Sequence, residues 1–138
     1  MKKRTDPTLA PQELAVMKVV WKKGSATVRD VYETLREGRA LAYTTVMTTM
    51  NILETKGFLE KAREDRAFRY TPTRSRQQVV GAMVKDFVNR VFDGAAQPLL
   101  LHLATSETLS ASERANLRKL IERTPPAGGR KDSDREDA

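Results

Sequence analysis

Apolar residues recur along this chain in two rhythms, and the change of rhythm organises it. Leu14, Met17, Val20 and Trp21 fall at helical spacing. Pro11 suits the first helical position, where its missing N–H costs nothing, and Glu13 lies against the positive end of the helix dipole. With Gly24 as the stop, this predicts a helix from Pro11 to Lys23. Thr27 and Asp30 have capping-box spacing ahead of Val28, Val31 and Leu35, which predicts a second helix closed by Gly38. A third is expected from Tyr43–Thr44 to Gly57, with Val46, Met50 and Leu53 at i, i+4 and i+7.

After Gly57 the period becomes two. Residues 58–63 and 66–71 alternate on either side of Glu64-Asp65 and read as a hairpin, with Pro72 ending its second strand. Glu64-Asp65 is a weak type I′ signal, so the turn is left open. Helical spacing then returns. Ser75 caps a fourth helix to about Asp93, a short fifth covers Gln97 to Ala104, and the Ser110/Glu113 capping box opens a sixth through Arg123. Pro125-Pro126 ends it. Residues 1–8 have no period and are expected to form a flexible arm, and residues 124–138 a disordered tail.

Composition narrows the chemistry. The 25 Lys+Arg and 18 Asp+Glu give +7, with 14 basic and 9 acidic residues (+5) before residue 73, and 8 and 5 (+3) over residues 73–123. A polyanion is the partner such a charge suggests, although a solvated basic surface is the blander reading. Without cysteine there is no thiolate ligand or thiol nucleophile, and one histidine leaves His102 without a partner ligand. No Gly-rich phosphate loop or paired inward carboxylates stand out, so neither an enzyme nor a cofactor or metal site is expected. No apolar run approaches the ~18 residues of a bilayer span, and the start MKKRTDPT has no apolar stretch after its charges. A cytoplasmic protein without membrane contact is expected.

The third helix carries the sharpest signal. Stepping about 100° per residue from Val46 brings Met50 and Leu53 within about 40° of it, and Thr44, Thr48, Asn51 and Thr55 within about 40° of the opposite side. An ordinary outer face is rich in Lys and Glu, because Thr and Asn are mediocre helix formers. Small hydrogen-bonding residues instead suit a DNA major groove, where Thr meets base edges or a thymine methyl and Asn pairs bidentately with adenine. The alternative is a Thr-rich helix held by packing alone. A short helix before it gives a helix-turn-helix, and Arg63 and Arg66 at the hairpin tip suit phosphates or a minor groove. Alone, those arginines would read as a solvated strand edge. Together the elements give a mainly α fold with a small β-hairpin wing: an N-terminal winged helix-turn-helix over residues 9–72 and a helical domain over 73–123.

Ala42-Tyr43-Thr44-Thr45-Val46-Met47-Thr48-Thr49-Met50, then Leu53 and Lys56-Gly57, follow Leu9-Ala10-Pro11-Gln12-Glu13-Leu14-Ala15-Val16-Met17 and Trp21, and precede Arg66-Ala67-Phe68-Arg69-Tyr70. This succession resembles the penicillinase-repressor (BlaI/MecI) family over about residues 8–123. The resemblance implies a winged-helix DNA-binding domain, a C-terminal dimerisation domain, and repression by a homodimer on a palindromic operator with TACA/TGTA half-sites. By position, Tyr43–Lys56 becomes the recognition helix and Phe58–Thr71 the wing. Three departures stand out. Ala10 replaces the Ser/Thr cap before the proline, and no cysteine-containing metal motif ends the chain. His102-Leu103 occupies the place of the Asn-Phe bond at which an inactivating protease cuts such repressors, so that protease is a partner whose bond is missing.

In the fourth helix the apolar residues span about 220°, more than a single core uses. A helix shared between its own domain and a second copy accounts for this, the alternative being a central helix within one chain. The dimer interface is accordingly expected to include Val80, Met83, Val84, Phe87, Val88 and Val91, with Leu99, Leu100, Leu103, Leu117, Leu120 and Ile121 from the later helices. DNA contacts are expected from Tyr43, Thr44, Thr45, Met47, Thr48 and Asn51 in the major groove, Arg63 and Arg66 on the wing, and Lys56 on the backbone. The expected function is a sequence-specific transcriptional regulator, a homodimeric repressor bound to double-stranded DNA in the nucleoid. The alternative is a winged-helix module that binds protein without specific DNA recognition.

Overall fold

The computed structural model describes residues 8–123. The arm, apart from Thr8, and the 124–138 tail expected from the sequence lie outside the described residues. In chain order the elements are α1 (Pro11–Lys23), β1 (Ala26–Thr27), α2 (Val28–Leu35), α3 (Tyr43–Thr55), β2 (Leu59–Glu64), β3 (Ala67–Pro72), α4 (Arg76–Phe92), α5 (Ala96–Thr105) and α6 (Ala111–Arg123). The six helices and the wing hairpin follow the expected order. β1 is additional: two residues are too few to show a period.

Caps set most of the boundaries. Thr27 Oγ1 accepts the Asp30 N–H at 3.1 Å while Asp30 Oδ2 accepts the Thr27 N–H at 3.0 Å, a closed capping box. Ser75/Gln78 and Ser110/Glu113 make the same reciprocal pairs at the starts of α4 and α6. α1 lacks a side-chain cap on Ala10; Glu13 Oε1 compensates by accepting the Ala10 N–H at 2.9 Å. Gly24 and Gly57 follow α1 and α3 at φ +89° and +91°, a backbone region that costs glycine little.

The chain forms two compact units divided between Val91 and Phe92. In the first, Val16, Met17 and Val20 of α1, Val31 of α2, and Val46, Met50 and Leu53 of α3 meet Phe58, Leu59 and Tyr70 of the wing in one buried cluster. Most of α4 belongs to this unit because Val79, 1% exposed, enters that cluster and Met83 packs against it. The Trp21 indole N–H donates to the Arg74 carbonyl at 2.9 Å, tying α1 to the segment before α4.

The sheet has the order β1-β3-β2, all antiparallel, with Ala26 opposite Tyr70 and Glu64 opposite Ala67. The wing therefore turns at Asp65-Arg66, one residue later than the sequence suggests. Asp65 holds φ +57°, a left-handed conformation that Asp tolerates better than most side chains. The shift moves every cross-strand pair by two residues, so Lys61 faces Tyr70 rather than Phe68. The two-residue step keeps each side chain on its face of the sheet.

In the second unit α5 and α6 leave a groove of about 740 Å³ whose lining includes Leu100, Leu101, Leu117 and Ile121, with Arg114 and Arg118. Among the described residues no helix is long and apolar enough to cross a membrane.

Candidate nucleic-acid interface

α3 turns one side inward and the other outward, as its spacing demands. Val46, Met50 and Leu53 are fully buried, whereas Thr44, Thr45, Thr48 and Thr55 are exposed, and Tyr43 and Met47 are partly so. Thr49 is buried as well, and its hydroxyl donates to the Thr45 carbonyl at 2.8 Å. No Lys, Arg, Asp or Glu lies on α3 before Glu54. The outer surface of the helix is thus uncharged up to Glu54, with threonine hydroxyls able to donate and accept set among the exposed Tyr43, Met47 and Ile52.

The positive charge lies around it. Beside α3, a cleft of about 450 Å³ is lined by Thr27, Val28, Arg29, Tyr43, Met47, Asn51, Lys61, Arg66, Ala67, Phe68 and Tyr70. Three cations and no carboxylate line it; Arg29 pairs with Glu33 at 3.4 Å and Lys61 with Glu54 at 3.9 Å just outside, which leaves Arg66 as the lining cation in no ion pair among the described residues. Arg66 stands in the wing turn and Arg63 on β2 with its guanidinium 5.4 Å from the Phe68 ring; neither takes part in an ion pair among the described residues. Arg69, by contrast, bonds Glu64 and the Ser25 hydroxyl, so it braces the wing rather than reaching outward. Glu64 holds its guanidinium above the ordinary arginine range.

Two expected contacts have partners within the chain. Lys56 Nζ lies 2.9 Å from Glu13 Oε1 in a half-buried ion pair. Asn51 Oδ1 accepts the Tyr70 hydroxyl at 2.8 Å and the Lys61 ammonium at 3.4 Å. Tyr70 is 2% exposed, and burial first, then the charge of Glu54, pushes its hydroxyl above the usual tyrosine range, so it stays protonated and donating. Tyr43 is held from α2 by an edge-on contact with Tyr32, ring centroids 5.4 Å apart. Sequence reasoning missed Arg29, Lys61, Phe68 and Tyr70. The Lys61–Tyr70 pairing was the available signal, hidden by the misplaced turn.

The residues expected at a dimer contact divide by exposure. On α4, Val80, Val84, Phe87 and Val91 form an exposed stripe, while Met83 packs on the N-terminal core and Val88 is buried. In the second unit Leu100, Leu120 and Ile121 are exposed, and Leu99, Leu103 and Leu117 are half-buried. His102 is exposed on α5.

A helix-turn-helix whose second helix shows an uncharged polar face, followed by a hairpin tipped with arginines, defines a winged-helix DNA-binding protein. The sequence profile of the penicillinase repressor family matches residues 9–123, and the chain belongs to that family. It is 36% identical over 129 residues to the transcriptional regulator BlaI of Mycobacterium tuberculosis (strain H37Rv), covering 87% of this chain and 92% of that protein. It is 29% identical over 116 residues to the penicillinase repressor of Bacillus licheniformis, covering 84% and 91%. Among solved structures, the DNA-binding domain of the repressor BlaI superposes at a TM-score of 0.49 with 33% identity, over 54% of this chain and 90% of that one. Members of this family are transcriptional repressors, and the chain is a DNA-binding transcriptional regulator rather than an enzyme.

Proposed function

We propose that this chain represses transcription as a homodimer on a palindromic operator, with α3 in the major groove and the wing on the flanking backbone. The observation that carries the reading is the outer face of α3: Thr44, Thr45 and Thr48 are exposed beside Tyr43 and Met47, with no charge to compete for phosphates. Thr hydroxyls donate or accept at base edges and their methyls meet thymine. Arg63 and Arg66 supply phosphate contacts from the wing, and Arg29 and Lys61 add charge beside the helix. Lys56 serves the backbone at the end of α3 while paired with Glu13.

The second copy is supported by exposed apolar side chains. Val80, Val84, Phe87 and Val91 repeat at i, i+4, i+7 and i+11, a single stripe on one side of α4. Two-fold symmetry in the protein then matches two-fold symmetry in the operator. A cytoplasmic location, on the nucleoid when bound, follows from such a target. An inactivating protease belongs to the same scheme, but the bond it would cut is not the Asn-Phe of penicillinase repressors, since His102-Leu103 stands there.

A mobility shift with the chain's own promoter region at moderate salt tests the reading. Retarded complexes at two chains per site are expected, competed by specific but not by bulk DNA. No shift with excess dimer would favour a protein-binding module.

A further inference from the structure

We propose that Asn51 reads DNA as a hydrogen-bond donor only, through Nδ2, because the wing holds its carbonyl oxygen, and that it therefore selects guanine or thymine over adenine. The inference rests on the placement of α3 in the major groove proposed above. Oδ1 takes the Tyr70 hydroxyl at 2.8 Å and the Lys61 ammonium at 3.4 Å. An ammonium has only donors, so the atom it faces is the oxygen; the flipped amide would set NH2 against NH3+. Two donors fill the two lone pairs of that oxygen. Lys61 is itself fixed by Glu54, with Nζ–Oε1 at 3.9 Å, and by the Phe68 ring at 4.7 Å.

The side chain nonetheless borders open surface on two sides. Asn51 lines the cleft toward the wing and also the shallow groove shared with Thr48, Ile52, Thr55 and Lys56 along the outside of α3. Bidentate pairing with adenine needs the amide oxygen to accept from N6 while the nitrogen donates to N7. With the oxygen engaged, Nδ2 needs acceptors: N7 and O6 of guanine, or O4 of thymine. Cytosine offers only an amine, and adenine sets its own amine beside N7. Tyr70 and Lys61 act as positioning residues, setting a base preference on α3 from the wing without touching the base.

Selection from randomised duplexes with the full chain tests this, comparing wild type, Asn51→Ala, Asn51→Asp and the double variant Tyr70→Phe/Lys61→Met. In the wild-type motif, the position whose preference disappears in Asn51→Ala is expected to favour guanine or thymine over adenine by about fivefold or more. Asn51→Asp puts an acceptor where Nδ2 was and inverts that position to adenine or cytosine. The double variant frees the oxygen and moves the same position toward adenine. Tyr70→Phe alone keeps the buried ring and should move it partway. Adenine at or above guanine and thymine in the wild type, an unchanged double variant, or no position responding to Asn51→Ala overturns the inference. A wild-type selection with no motif overturns the major-groove placement, and the inference with it.

Discussion

Glu13 and Lys56, 43 residues apart, meet at 2.9 Å, and the carboxylate oxygen that takes the ammonium also accepts the Ala10 N–H at 2.9 Å. One side chain thus closes the start of α1, where the cap residue is an alanine, and anchors the end of α3. The two helices are locked together beside the face proposed to meet DNA.

Removing that carboxylate tests the double role. Glu13→Ala should cost about 2 kcal/mol, the sum of a lost cap and a partly buried pair. Glu13→Gln keeps an oxygen for the Ala10 N–H and should lose less than half of that. Denaturant midpoints at unchanged m-value read both.

Acid should weaken the start of α2. The Thr27 N–H, more than any other partner, lowers the Asp30 carboxyl below its usual value of 3.8. Because the folded value lies below the unfolded one, the stabilisation is complete above about pH 4 and fades as pH falls through the folded pKa. Asp30→Asn should flatten the acid limb of a stability-against-pH curve, while Thr27→Ala should lower stability by about 1 kcal/mol at neutral pH.

Reading and holding should separate by mutation. Thr48→Ala is expected to relax base preference with little change in salt dependence. Arg66→Ala should weaken binding to all sequences alike and reduce the log–log salt slope by about one. An unchanged slope in Arg66→Ala would remove the wing from the phosphate contacts.

The exposed stripe on α4 predicts the oligomeric state. Val84 and Val91 are 51% and 50% exposed, so Val84→Glu/Val91→Glu should leave the first unit folded. Sedimentation should then report a monomer, and the mobility shift should weaken by an order of magnitude or more, since a single half-site forfeits the second copy.

What the sequence discloses is local. The limits of α1 follow from Pro11, Glu13 and Gly24, and the start of α6 from Ser110 and Glu113, because caps act within one turn. The outer face of α3 follows from a fixed angle per residue. β1 escaped because Ala26 and Thr27 become a strand only by lying against Tyr70 and Arg69. The wing register depended on Asp65 accepting a positive φ, which its residue type allows but does not demand. The partners of Asn51 and Lys56 depend on contacts 10 to 43 residues away, so the Thr-rich surface was legible while the commitments of its neighbours were not.

Backbone amide shifts during titration with a duplex carrying the selected site test the central claim most directly, with a scrambled duplex as control. The largest changes should fall on Tyr43–Thr55 and on the wing turn around Asp65 and Arg66, and should shrink with the scrambled duplex. Changes confined to residues 97–123, or equal for both duplexes, would contradict α3 as the reading helix.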